Sequence, residues 1–263
     1  GAHLMHLTTL VALGSAAAWA AGAVGVRATG AVGAAAIAMP VVWDQAYVAY
    51  NDTAVGGFSM AAIALAMRGR WSRGTVLLTC VLLAAAISIK PTAIGAVGVV
   101  GLIILWDAIA ERTTATAGWL GRVVRLWVPL VVTSLVTLGF WTFRRFLITG
   151  TWVDPDVVGP PTADELSRLP TLTDQVLAPI MPFVLGVLGS DEPWGGRTAL
   201  VLQILLIPAI LYVLWRRGDM GARFARVAVP AWVHWVVVGL QGVRTRFHVI
   251  SWAMLVVAVR VVV

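Results

Sequence analysis

What most constrains this chain is a repeating pattern, apolar runs of 14 to 21 residues separated by short polar breaks. The runs fall at 5–25, 30–43, 53–67, 74–89, 92–110, 126–142, 198–215, 227–240 and 249–263. No single water-surrounded core absorbs that much hydrocarbon, and in lipid only helices and closed barrels satisfy their own backbone groups. A barrel needs alternating apolar and polar residues along each strand, and these runs do not alternate. The pattern predicts an all-α fold, a polytopic transmembrane helical bundle of about nine spans forming one domain over 1–263. Charged residues make up only 12% of the chain, against about 25% in soluble domains. Several runs are shorter than the roughly 20 residues of a perpendicular span. These are expected to extend into flanking polar residues or to border a thinned, water-filled site.

Charge sets the expected orientation. One set of alternating loops holds Arg27; Arg68, Arg70 and Arg73; Arg112, Arg122 and Arg125; and Arg216, Arg217, Arg223 and Arg226, eleven cations against Asp107, Glu111 and Asp219. The opposite set holds Lys90, Arg144, Arg145, Arg168, Arg197, Arg244 and Arg246, seven cations against nine acids. The positive-inside rule makes the first side cytoplasmic. The net charge of +7 is thus a membrane-topology signal, and a nucleic-acid partner is not expected. The stretch 111–125 reads as a linker on the cytoplasmic membrane surface, its arginines towards anionic headgroups. All but one of the nineteen Lys and Arg residues are arginine, which points towards a high-GC bacterial source and a bacterial plasma membrane.

The second side carries the one long loop, 143–197, with "TWVDPDVVGPPTADELSRLP" near its start. Its prolines and acids mark a loop and not a span. Residues 176–189 are apolar, but counting them as a span would move the Arg216–Arg226 cluster outside, so they read as an interfacial helix. Cys80 is the lone cysteine and lies within an apolar run, which removes disulfide frameworks and thiolate metal sites. Gly95, Gly98 and Gly101 recur on one segment and read as close-packing positions between membrane helices. No internal repeat suggests an inverted-repeat transporter.

The outer side gathers Asp44, Asp52, Lys90, Arg144, Arg145, Arg244, Arg246 and His248 at span ends, with Tyr50 and Asn51 beside Asp52 in "YVAYNDT". A charge at membrane depth costs about 2.5–3.5 kcal/mol on insertion scales, so it usually faces a cavity or a partner. Carboxylates beside guanidinium groups suit phosphate chemistry: the carboxylate takes a proton from an attacking hydroxyl, and the cations hold the phosphate. The competing reading treats the same residues as snorkelling side chains and loop ion pairs. Lys90 is the sharpest case. In "AAAISIKPTAIGAV" Pro91 follows it at once, and proline suits the first turn of a new helix, so the ammonium is expected at a helix junction. It either contacts phosphate or snorkels to the interface. Asn51-Asp52-Thr53 also fits a glycosylation pattern, but it lies against the bilayer, where a glycan does not fit. His3, His6 and His234 lack metal-ligand spacing; His234 reads as a hydrogen-bonded helix residue. No cofactor or metal is indicated.

These features resemble a known family. "AYNDTAVGGFSMAAIALAMRGRW" followed by "LLAAAISIKPTAIGAV" is similar to the stretch of GT-C membrane glycosyltransferases, of the protein O-mannosyltransferase and aminoarabinose-transferase type, in which an outer acid ends one span and an alanine-rich span runs into a Lys-Pro or Lys-Tyr junction. "GFWTFRRFLITGTWVDP" looks like the Trp-x-x-Arg-Asn segment that opens their large outer loop, and "QGVRTRFHVISWAM" resembles their later arginine-containing outer junction. The resemblance implies transfer of a sugar from a polyprenyl-phosphate donor to an acceptor on the outer face, by inverting displacement. It casts Asp52 as the second outer acid, assisting the acceptor, and Lys90, Arg144, Arg145 and Arg244 or Arg246 as contacts of the lipid phosphate. Actinobacterial members often use polyprenyl-phosphate mannose; the acceptor is a glycan, lipid or protein.

Two departures matter. "RRF" stands where the family has Arg-Asn, and "GTWVDP" departs from Gly-Asn-Pro. The family's principal catalytic aspartate lies in a first outer loop, and the topology puts Gly1 outside. An upstream span and that loop are therefore expected to precede this sequence, leaving this chain inactive alone unless Asp44 serves as the base. The rival class is a transporter or lipid flippase with an outer charged path, which predicts mid-membrane charges and a repeat. A non-catalytic membrane scaffold predicts no outer cavity lined by Asp52 and Lys90.

Overall fold

The computed structural model describes residues 2–38, 42, 52–112, 118–150, 219–239 and 249–262. All regular structure among them is helical, with no strand. In chain order the α-helices are α1 (Ala2–Ala23), α2 (Thr29–Ala38), α3 (Asp52–Met67), α4 (Arg73–Ile89), α5 (Ile94–Arg112), α6 (Trp119–Thr149), α7 (Asp219–Gly239) and α8 (Val249–Val262). A 3-10 turn, Pro91–Ala93, joins α4 to α5. Five of the expected runs coincide closely with α1, α3, α4, α5 and α8. The run 198–215 and residues 151–197 of the outer loop, with the interfacial helix 176–189, lie outside the described residues.

Local chemistry sets the helix ends. α1 closes in a Schellman motif: the Val26 amide donates to Ala21 O at 3.0 Å and the Gly25 amide to Gly22 O at 3.1 Å. Gly25 takes φ +83°, a left-handed conformation that disfavours any residue with a Cβ. Gly69 (φ +65°) follows the end of α3, its amide donating to Ala66 O at 3.0 Å. α4 starts at Ser72, whose hydroxyl accepts from the Thr75 amide at 3.1 Å. It stops at Lys90, held extended (φ −153°, ψ 120°) because the proline ring that follows excludes the helical conformation.

α1 and α3 are the centre of the bundle. α1 packs on α2, α3 and α8, and α3 also touches α4, α5 and α8; α5 leans on α6 and α7, α7 on α8, and α4 on α6. Leu13, Met60, Ile63, Leu83, Ile103 and Met254 are among the buried core side chains. Small residues bring backbones together. A Cβ on Gly33 of α2 would lie 2.6 Å from the Gly14 carbonyl oxygen of α1. The expected close-packing glycines divide: a Cβ on Gly95 would meet the His234 ring at 2.9 Å and one on Gly101 the Trp127 ring at 2.7 Å, whereas nothing stands within 4 Å at Gly98.

Three expected boundaries differ. α6 runs well beyond 126–142 at both ends, so residues 119–125, read as a surface linker, and 143–149, read as the start of the outer loop, are helical. The arginines lie within the helix, which follows Gly118 (φ +109°) and is closed at its C-terminal end by left-handed Gly150 (φ +72°), whose amide donates to Phe146 O at 2.8 Å. α7 likewise begins at Asp219, which puts Arg223 and Arg226 on the helix and not in a loop. α2 is described over Thr29–Ala38, and residues 39–41 and 43 of the run 30–43 lie outside the described residues.

Among the described residues two helices are long and apolar enough to cross a membrane, Pro91–Ile109 and Leu120–Thr149; Leu7–Ala23, Thr29–Ala38, Asp52–Met67 and Arg73–Ile89 are shorter apolar helices. α6 exposes Val128, Val132, Leu135, Val136 and Phe140 along its length, a continuous apolar face. Its hydroxyls turn inward on the helix, with Ser134 Oγ donating to Leu130 O at 2.7 Å and Thr137 Oγ1 to Thr133 O at 2.8 Å. That is how a hydroxyl is satisfied where no water reaches it.

Candidate functional site

Asp52 is the first residue of α3, where the unpaired amides of the first turn favour a negative charge. Lys90 occupies the extended junction between α4 and the 3-10 turn. The fold joins them: Lys90 Nζ donates to Asp52 Oδ1 at 2.7 Å. The carboxylate side chain is 6% exposed and the lysine side chain 26%, so the pair meets its surroundings through the ammonium. Thr53, next in α3 and fully buried, hydrogen-bonds to Thr9 of α1 through their hydroxyls at 3.1 Å, fixing the turn that carries Asp52. Beneath the pair Val55, Ala86, Ile87 and Ala93 form an apolar floor, with Leu138 of α6 packed against it. Removing one partner of a largely buried pair strands the other charge in a poor solvent, at about 3–5 kcal/mol when both are fully buried.

Arg144 and Arg145 lie near the end of α6. Arg145 is two turns beyond Leu138 on the same helix face, about 10 Å further along the axis. Its guanidinium carbon lies 5.9 Å from the Trp141 ring centroid, within cation–π range, while Arg144 is exposed. Of the residues expected at the site, the structure brings Asp52 and Lys90 into contact and sets the two arginines at the same end of the bundle. Asp44, Tyr50, Asn51, Arg244, Arg246 and His248 lie outside the described residues.

A second ion pair, absent from the expectations, closes the opposite end. Arg226 Nη2 of α7 donates to Asp107 Oδ2 of α5 at 2.6 Å and approaches Ala66 O, at the end of α3, at 3.5 Å. Arg223, one turn earlier, approaches Val24 O at 3.5 Å. Both arginines therefore face helix C-terminal ends, whose orphan carbonyls attract cations. Asp52 begins α3 and Ala66 nearly ends it, so the two pairs stand about 20–25 Å apart along the helices. The spacing of Arg223 and Arg226 was the available signal, since i and i+3 share a face if the helix extends that far.

Between the pairs the polar residues are few. His234 is buried and shares a 2.7 Å hydrogen bond between its Nδ1 and Ser251 Oγ of α8, as its place in an apolar run suggested. Cys80 is a buried free thiol. No group of three or more His, Cys, Asp or Glu side chains among the described residues is placed to hold a metal ion. No known protein family, curated protein or solved structure matches the chain.

Proposed function

We propose that this is a polytopic membrane protein of about nine spans in a bacterial plasma membrane, with the Lys90 end facing outward, and that it transfers a sugar from a polyprenyl-phosphate donor to an acceptor hydroxyl. The observation that carries the reading is the 2.7 Å pairing of Asp52 with Lys90. An acid and a cation of the kinds phosphoryl-leaving-group chemistry needs are held together at one end of an apolar bundle. The membrane reading draws support from the exposed apolar face of α6 and from the separation of the two ion pairs, which approaches the roughly 30 Å hydrocarbon core of a bilayer.

In the reaction the acceptor oxygen attacks the anomeric carbon as its O–H proton passes to a carboxylate, the role Asp52 is placed to assist. The bond from that carbon to the phosphate oxygen breaks, and its electron pair leaves with the phosphate. Lys90, with Arg145 above it, offsets the charge that builds on that leaving group. The test is to present the intact protein in nanodiscs with a panel of polyprenyl-phosphate sugars, mannose first, and to follow release of polyprenyl phosphate. Turnover lost in Lys90→Ala and Asp52→Asn supports the reading; no consumption of any donor overturns it.

One observation favours a second reading. An ion pair at each end of the bundle, Asp52–Lys90 and Asp107–Arg226, could open and close in alternation, as ion pairs repack in rigid-body switching transitions, and so serve a lipid flippase or transporter. Movement of a fluorescent polyprenyl phosphate across proteoliposomes without chemical change to it would select that reading.

A further inference from the structure

We propose that Asp52 is the resting occupant of the phosphate site, and that the donor's phosphate displaces it from Lys90 before the acceptor binds. The inference rests on the donor-site reading above and adds the order in which the site is used. Three observations carry it. The ammonium already donates to a carboxylate oxygen at 2.7 Å, so a phosphate that takes up that N–H and that charge does so in competition with Asp52. The lysine is the more exposed partner, 26% against 6%, so an incoming phosphate meets the ammonium first. And the lysine is the partner built to move, a compact charge on a flexible four-carbon stem rooted in an extended residue between two helices. Asp52 is fixed at the start of α3, a turn anchored by the Thr53–Thr9 hydroxyl contact.

Losing the ammonium leaves a buried carboxylate without its counter-ion, a costly state. The first-turn amides of α3 offset part of that cost, and an acceptor hydroxyl donating to the freed oxygen offsets more. The acceptor is therefore bound well only after the phosphate has arrived. With no donor present, Asp52 stays neutralised and does not activate water or a stray hydroxyl.

A double-mutant cycle on ligand binding tests this with the intact protein in neutral-lipid nanodiscs. The probe is decaprenyl monophosphate, with uncharged decaprenol as the control. Asp52→Asn, which keeps the shape and removes the competing charge, is expected to tighten phosphate binding about tenfold, and Lys90→Gln to weaken it at least tenfold. In the Lys90→Gln background the Asp52→Asn gain shrinks below about threefold, because the contested ammonium is gone. Unchanged or weaker binding by Asp52→Asn overturns the exchange while leaving the donor site intact. An equal gain in both backgrounds also overturns it, making Asp52 a distant repelling charge and not a competitor. If no variant distinguishes decaprenyl phosphate from decaprenol, the donor-site reading fails and the exchange fails with it. The double variant, neutral at both positions, has no stranded charge and reports binding even where a single variant folds poorly.

Discussion

Lys90 Nζ and Asp52 Oδ1, 38 residues apart in the chain, meet at 2.7 Å where α3 begins and α4 ends. The contact ties three helices, because the backbone of Lys90 also leads through Pro91 into α5. Its energetic weight lies between two limits. Exposed pairs contribute about 0–1 kcal/mol, and breaking a fully buried pair costs about 3–5 kcal/mol.

Lys90→Met leaves Asp52 without its ammonium in a site that is almost closed. We expect a loss of about 2–3 kcal/mol in stability, set between those limits and measured by denaturation in a fixed detergent. The double variant Lys90→Met with Asp52→Leu is expected to recover most of it, since apolar residues of similar volume often replace a buried pair at little cost. A Lys90→Met protein as stable as the parent shows that the pair contributes nothing to the fold.

The opposite pair gives a contrasting expectation. Arg226→Met removes the 2.6 Å bond to Asp107 and the approach to Ala66 O. It is expected to cost about 1–3 kcal/mol while leaving decaprenyl phosphate binding unchanged, because it acts some 20–25 Å from Lys90 by helix rise. Arg223 is exposed and approaches Val24 O at 3.5 Å, so Arg223→Met is expected to cost less stability than Arg226→Met, as exposed positions usually do. Equal effects at the two positions are incompatible with the geometry of the Asp107 pair.

These two pairs also show what a sequence reveals. Lys90 was legible because Pro91 forces a helix break beside a lone lysine, and Asp52 because it interrupts apolar residues at a span end. Both readings use neighbours along the chain. That their side chains meet, and that Arg226 reaches Asp107 across 119 residues, follows from how α3, α5 and α7 pack, which no local pattern encodes. The helices themselves were legible from apolar runs. The ends of α6 were not, because Arg122, Arg125, Arg144 and Arg145 look like loop residues while the chain stays helical to Gly118 and Gly150. Charge marks where a helix leaves an apolar layer; glycine geometry marks where it stops.

The crossing of α1 and α2 depends on a missing side chain. A Cβ at Gly33 would press on the backbone oxygen of Gly14 at 2.6 Å, and backbone cannot yield as a flexible side chain does. Gly33→Ala is expected to cost about 1–3 kcal/mol through overpacking. Gly30, on the same helix, has nothing within 4 Å, so Gly30→Ala is expected to gain up to about 1 kcal/mol from helix propensity. Opposite signs for two alanines three residues apart, read from unfolding curves, check the helix crossing directly.

Orientation is open to a chemical test because Cys80 is the lone cysteine. In a Cys80→Ala background, a thiol introduced at Thr149, at the exposed end of α6, lies on the same side of the bundle as Lys90. One at Arg70, exposed beside the Gly69 turn, lies on the side of Asp107. The proposed topology predicts that a membrane-impermeant maleimide labels Thr149→Cys in intact cells, and labels Arg70→Cys only after permeabilisation. The reverse pattern inverts the protein and puts Lys90 and Asp52 in the cytoplasm, where a donor chemistry confined to the outer leaflet has no access to them. Equal labelling of both positions without permeabilisation is incompatible with a bilayer lying between the two ion pairs.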